Sequence, residues 1–259
     1  MQTIFLIMQW LTCLRRKPTQ FHFGKVAEIL KKGWGGCIFA SLILKTTKDM
    51  KSKTYYQLIM DASGSMSGVQ IETLNALNSQ IESIRKTAVK NPEQKIYVSL
   101  TLFDKRVKDL ITNSAPNCIQ LLTRNQYQPN GGTALLDAIG SRVAQLEEVV
   151  TADDDVVMVI LTDGEENASQ FYNYAQIANK IKTLTDKGNW SFSFLGADID
   201  GWSIAQNLNI RQEEVRSFSK DQMCNSMDNL SAEFDGYMLK KSMGVRSNKL
   251  FGKDDEIQP

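Results

Sequence analysis

From residue 54 onward, short β-branched and apolar runs alternate with longer amphipathic stretches, the pattern of a mostly parallel sheet with helices on both faces. Tyr55 to Met60 reads as the first strand. Ser67-Gly68-Val69-Gln70 then has the spacing of a capping box, and Ile71, Leu74, Leu77, Ile81 and Ile84 recur at helical intervals up to about Val89. Lys95 to Phe103 and Val107 to Ile111 are strand-like runs separated only by Asp104-Lys105-Arg106. That spacing is too short for a crossover helix and predicts an antiparallel hairpin whose second strand lies at an edge.

A break at Gly131-Gly132-Thr133 precedes Ala134 to Val149, where Leu135, Ile139, Val143 and Leu146 form one apolar face. Val156 to Leu161 is continuously apolar and ends in Thr162-Asp163-Gly164, as a central strand buried on both faces should. Phe171 to Lys187 predicts a helix, Trp190 to Leu195 a strand, Gly201 to Leu208 a short helix and Glu214 to Phe218 a last strand. The final helix is expected from Lys220 to about Lys241, with Met223, Met227, Leu230, Phe234 and Met238 as a stripe lying on the sheet. Residues 54–241 thus form one α/β domain, and residues 242–259 read as a loose polar tail.

The first 49 residues fit none of this. Their apolar runs, Ile4 to Leu14 and Cys37 to Leu44, fall short of the roughly 18–20 residues that span a membrane. Arg15-Arg16-Lys17 follows the apolar stretch instead of preceding it, which argues against a secretion signal. Met50 stands just before the first strand, so residues 1–49 are expected to be an extension that is untranslated or disordered. A basic segment that touches a membrane surface is the other reading.

Charge sharpens the partner class. Residues 1–53 hold ten Lys or Arg against Glu28 and Asp49, whereas the rest holds twenty against twenty-seven acids. An acidic body without a dense Lys/Arg stripe is a poor footprint for nucleic acid, because phosphate neutralisation drives such binding. Cys13, Cys37, Cys118 and Cys224 are scattered and form no zinc or disulfide framework. With no export signal, a cytoplasmic location is expected. His22 is the only histidine, which removes Ser-His-Asp, Cys-His and multi-His metal chemistry.

Asp61-Ala62-Ser63-Gly64-Ser65 falls where the first strand has ended and its helix has not begun, at the carboxyl edge where open α/β sheets bind ligands. One carboxylate and two hydroxyls on a tight loop are hard oxygen donors and suit Mg²⁺, with Mn²⁺ or Ca²⁺ as alternative occupants. Each residue also has an ordinary use. Asp, Ser and Gly are common in strand-to-helix turns, Thr133 sits where a helix N-cap belongs, and Asp163-Gly164 would serve as a plain turn. Asp153-Asp154-Asp155 precedes a strand, so it lies at the opposite edge and reads as a solvated turn.

The joint occurrence of Asp61-x-Ser63-x-Ser65, Thr133 after a glycine pair, and Asp163 after a central strand resembles the von Willebrand factor A family over about residues 54–240. That resemblance implies a doubly wound, Rossmann-like sheet in the order 3-2-1-4-5-6, whose first and fourth strands are neighbours. It further implies one Mg²⁺ with Ser63 and Ser65 as direct ligands, Thr133 direct or through water, and Asp61 and Asp163 mostly through water. Such neutral ligands leave charge uncompensated and a position open, which a partner's Asp or Glu carboxylate can complete. Asp137, Glu165 and Glu166 read as groups that support the metal's ligands from behind or rim the site, with solvated surface as the more ordinary reading. The expected function is metal-dependent protein binding without catalysis. The competing reading is a Mg²⁺-dependent phosphoryl-transfer hydrolase using Asp61, weakened because Ser63 stands where a second acid is needed.

Overall fold

The computed structural model describes residues 52–251. The reading of residues 1–49, and of the tail beyond 251, lies outside them. The elements run β1 (Lys53–Asp61), α1 (Gln70–Lys90), β2 (Lys95–Phe103), β3 (Val107–Ser114), α2 (Leu135–Glu147), β4 (Asp155–Thr162), α3 (Tyr174–Asp186), β5 (Trp190–Ala197), α4 (Gly201–Asn207), β6 (Val215–Phe218) and α5 (Met223–Ser242). Six strands form one sheet in the order β3-β2-β1-β4-β5-β6. Every pairing is parallel except β2 with β3, the expected edge hairpin.

Strand alternation divides the core into two layers. Tyr56, Leu58 and Met60 point to the face covered by α1 and α5, where Leu77, Ile81, Ile84 and the Met223, Met227, Leu230, Phe234, Met238 stripe pack. Tyr55 and Ile59 point to the face covered by α2, α3 and α4. β4 is buried along its whole length, as a central strand between two helical layers must be. No helix among the described residues is long and apolar enough to cross a membrane.

Four local readings change. Ser67 does not cap a helix; residues 64–69 form a 3₁₀ turn in which the Ser67 hydroxyl donates to the Gly64 carbonyl at 2.7 Å. α1 therefore begins later, Ile71 is exposed, and the buried face is set by Thr73, Ala76, Leu77, Gln80, Ile81, Ile84 and Thr87. α3 begins at Tyr174 rather than Phe171, because Asn173 and Gln176 supply the capping box. Asp154 and Asp155 are buried, not solvated: Asp155 pairs with Lys241 at 2.6 Å and Arg246 at 3.0 Å, and Asp154 Oδ1 accepts the Lys53 amide.

The last of the four concerns residues 243–251, which fold back over the domain instead of hanging free. Leu250 and Phe251 are buried, and Glu214 accepts the Leu250 amide at 3.0 Å and the Phe251 amide at 3.3 Å. Arg216 lies 4.7 Å from the Phe251 ring centre. Polarity along the segment hid two apolar anchors at its end.

Close packing sets one testable limit. A Cβ at Gly140 of α2 would lie 2.6 Å from atoms of the Tyr172 ring. Gly140→Ala is expected to lower stability by about 1–3 kcal/mol, through overpacking. Urea denaturation checks this, and an unchanged midpoint would mean that Tyr172 moves aside without cost.

Candidate functional site

β1 and β4 are neighbours, and their register pairs Met60 with Leu161. The loops that follow therefore leave the carboxyl edge of the sheet together. The Asp61 carboxylate is fully buried there. Its Oδ1 accepts the Ser63 amide at 2.7 Å, and its Oδ2 accepts the Thr162 hydroxyl at 2.5 Å. Burial pushes the Asp61 carboxyl above its usual range, the Thr162 and Ser63 hydrogen bonds pull it back, and the nearby Asp163 charge adds to the rise.

Ser63 Oγ and Ser65 Oγ are 2.9 Å apart, and the Ser65 hydroxyl donates to Asp163 Oδ1 at 2.6 Å. The other Asp163 oxygen, Oδ2, faces the Lys220 ammonium at 2.6 Å, and that ammonium also donates to the Ser65 carbonyl at 3.3 Å.

Thr133 reaches the same place through its loop. The Gly64 amide donates to the Gly131 carbonyl at 3.0 Å and the Asn130 amide to the Ala62 carbonyl at 2.8 Å, which ties the two loops together. α2 is preceded by Ala134 with no side-chain cap, so the Thr133 hydroxyl is not used as an N-cap. A Cβ on Gly164 would meet Thr133 Oγ1 at 3.5 Å and Ser65 Oγ at 3.9 Å, so the two hydroxyls approach over that glycine. Gly132 is required for a different reason: a Cβ there would stand 2.7 Å from Asn167 Oδ1, which holds the Thr133 amide at 2.9 Å. Asp61, Ser63, Ser65, Thr133 and Asp163 are thus gathered at one edge.

Two of the acids beyond this group are clamps. Asp137 is buried, and its carboxylate accepts the amides of Gln170, Phe171 and Tyr172 at 2.8–3.0 Å. Glu166 accepts the amides of Leu136, Ala168 and Ser169 together with the Ser169 hydroxyl. Together they fasten residues 164–173 onto the start of α2, leaving Phe171 80% exposed. Glu165 alone is an exposed rim group; Asp137 and Glu166 are not solvated surface but hold the loop that follows Asp163. Thr162, Tyr127 and Lys220 also belong to the site and were not singled out from sequence. Thr162 had a signal, since it adjoins Asp163; Tyr127, whose hydroxyl donates to the Asp61 carbonyl at 2.9 Å, and Lys220 had none.

Two carboxylates and three hydroxyls are hard oxygen donors, and the Lys220 ammonium seated on Asp163 is a stand-in for a cation there. The residues present fit Mg²⁺. Among the described residues no three His, Cys, Asp or Glu side chains form a metal cage, so a cation at this edge relies on hydroxyls and water as much as on carboxylates. Beside the Asp61 loop runs a groove of about 470 Å³, lined by Ala62, Leu102, Asp104, Arg106, Lys108 and Gln126. Arg106 and Lys108 are exposed.

No family model and no curated protein sequence matches this chain. Solved structures do. The von Willebrand factor domain of the type V pili tip protein of Porphyromonas gingivalis is similar at 10% identity and TM-score 0.55, over 80% of this chain and all of that one. The pilus adhesin SpaC of Lactobacillus rhamnosus GG gives 15% identity and TM-score 0.54, over 72% of this chain and 31% of that one. Proximal thread matrix protein 1 of the mussel byssus gives 16% identity and TM-score 0.50, over 70% and 46%. The chain therefore spans less than half of those two longer proteins.

Proposed function

We propose that this chain, which has the fold of the von Willebrand factor A domain, is a protein-binding module that captures a partner's Asp or Glu through one Mg²⁺ at the Asp61 edge. The observation that carries this reading is the convergence of Ser63, Ser65 and Asp163, linked at 2.9 and 2.6 Å at the ends of neighbouring strands. Ser63, Ser65 and Thr133 would hold the metal through hydroxyls, with Asp61 and Asp163 as the balancing charges. Bound there, Mg²⁺ supplies a positive centre with positions open to a carboxylate oxygen.

The chain's own residues prepare that centre. Thr162 and the Ser63 amide fix the Asp61 carboxylate, and Tyr127 holds the backbone beneath it. Arg106 and Lys108, in the adjoining groove of a body that is acidic beyond residue 53, favour a partner with further acidic residues beside the captured one. Arg106→Glu with Lys108→Glu is expected to weaken partner binding by about tenfold while leaving Mg²⁺ affinity unchanged. Titration calorimetry separates the two quantities, and equal partner affinity would remove the groove from the interface.

The test of the main reading is an affinity pulldown with and without a chelator, with Asp61→Ala as control. Partners lost in both conditions support it; partners retained in both sink it. The hydrolase reading has less support, since both Asp61 oxygens are already hydrogen-bonded within a fully buried carboxylate. Phosphatase turnover abolished by Asp61→Asn would reverse that judgement. Cys118 and Cys224 are free thiols, which suits a reducing compartment and hence the cytoplasm.

A further inference from the structure

We propose that Lys220 is a tethered cation that competes with the metal for the Asp163 carboxylate, so that this lysine sets metal affinity. The inference rests on the metal reading above and goes beyond it. Lys220 Nζ is 2.6 Å from Asp163 Oδ2, and the Asp163 side chain has no exposure while that of Lys220 is 23% exposed. The same ammonium donates to the Ser65 carbonyl at 3.3 Å, and Ser65 Oγ donates to Asp163 Oδ1 at 2.6 Å. The lysine therefore sits on the carboxylate of one residue proposed to serve the metal, Asp163, and on the backbone of another, Ser65.

A buried carboxylate needs a counter-charge, and here the chain provides one itself. An ammonium and a divalent cation sharing that carboxylate repel each other, and burial of the Asp163 side chain weakens the screening between them. One has to leave. The lysine can, because its charge rides on a flexible four-carbon stem and its side chain is 23% exposed.

Its backbone is held independently. The Lys220 amide donates to Asp198 Oδ1 at 3.0 Å, and the Gln222 amide donates to the Ser219 carbonyl at 2.8 Å. Residues 220–222 form a 3₁₀ turn that runs straight into α5, whose Met223 and Met227 are buried against the sheet. By linkage, whatever holds Lys220 on Asp163 weakens the metal, and the metal weakens that hold equally.

The experiment uses full-chain protein as wild type, Lys220→Met, Lys220→Gln and Lys220→Arg, with Ser63→Ala/Ser65→Ala as reference. Mg²⁺ affinity is read by titration calorimetry and melting temperature by scanning with and without Mg²⁺. Lys220→Met and Lys220→Gln are expected to bind Mg²⁺ at least about tenfold more tightly than wild type, because both remove the competing charge. Without added metal both should melt lower, as Asp163 loses its counter-ion, and Mg²⁺ should close the gap. Lys220→Arg, which keeps the charge, should stay near wild type.

Unchanged or weaker Mg²⁺ binding by both neutral variants, with wild-type binding abolished in the serine reference, overturns the competition and leaves the metal reading intact. No Mg²⁺ binding by wild type or either neutral variant at millimolar concentrations overturns both.

Discussion

Replacing Ser63 and Ser65 together by Ala is expected to abolish Mg²⁺-induced stabilisation and to weaken metal-dependent partner binding by at least about 100-fold, the upper range seen even for residues that only support metal ligands. The double change deletes two hydroxyls and little else. The Ser63 amide still donates to Asp61, the Ser63 carbonyl still accepts the Met66 amide, and the Gly64 amide still reaches Gly131. Loss of the hydroxyl bonds themselves should cost about 1 kcal/mol each, so the fold survives. At Mg²⁺ one hundred times its dissociation constant, wild type should gain about 2.7 kcal/mol. In a domain of this size that is a melting shift of about 5–11 °C. The variant should show none. An equal shift in the two proteins would place the cation somewhere other than the Asp61 edge.

The elements that build this edge were legible because each is announced by local pattern. The apolar run before Asp61 and the one ending in Thr162 read as strands by local pattern, and their adjacency comes from the strand order that the family resemblance implies, with which the hairpin agrees. What local pattern cannot show is why a polar residue is buried. Asp137, Asp155 and Glu214 look like surface acids in sequence. Asp137 and Glu214 are buried because amides 33 to 37 positions away bond to them, and Asp155 because Lys241 and Arg246 do. Lys220, only partly buried, is just as hidden in the sequence. Nothing near it in sequence marks it, yet its ammonium meets a carboxylate and a carbonyl on two different loops. Ile71 erred in the other direction, since a helical interval counted from Ser67 was displaced when the chain made a 3₁₀ turn first.

Asp137→Ala is expected to lower stability by about 2–4 kcal/mol and to loosen the loop that borders the site, because an ionised acceptor of several hydrogen bonds is among the costly groups to remove. Three amides, those of Gln170, Phe171 and Tyr172, lose their acceptor at once. Tyr172 packs against the second core layer, so the loop cannot simply float off without exposing apolar surface. Glu166 still ties Ala168 and Ser169 to the start of α2, which confines the damage to residues 170–172. Hydrogen exchange should therefore quicken at those three amides more than at the Asn167 amide, which bonds to the Thr133 carbonyl instead. Mg²⁺ affinity should change little, since none of the five proposed ligands touches Asp137 through these bonds. Partner affinity should fall if the exposed Phe171 is part of the interface, as an exposed aromatic on a fastened loop is suited to be. Asp137→Asn distinguishes charge from shape: it keeps one acceptor oxygen and should recover part of the lost stability. If both variants melt with wild type, water replaces the carboxylate without cost and the loop owes its order to Glu166 and Asn167.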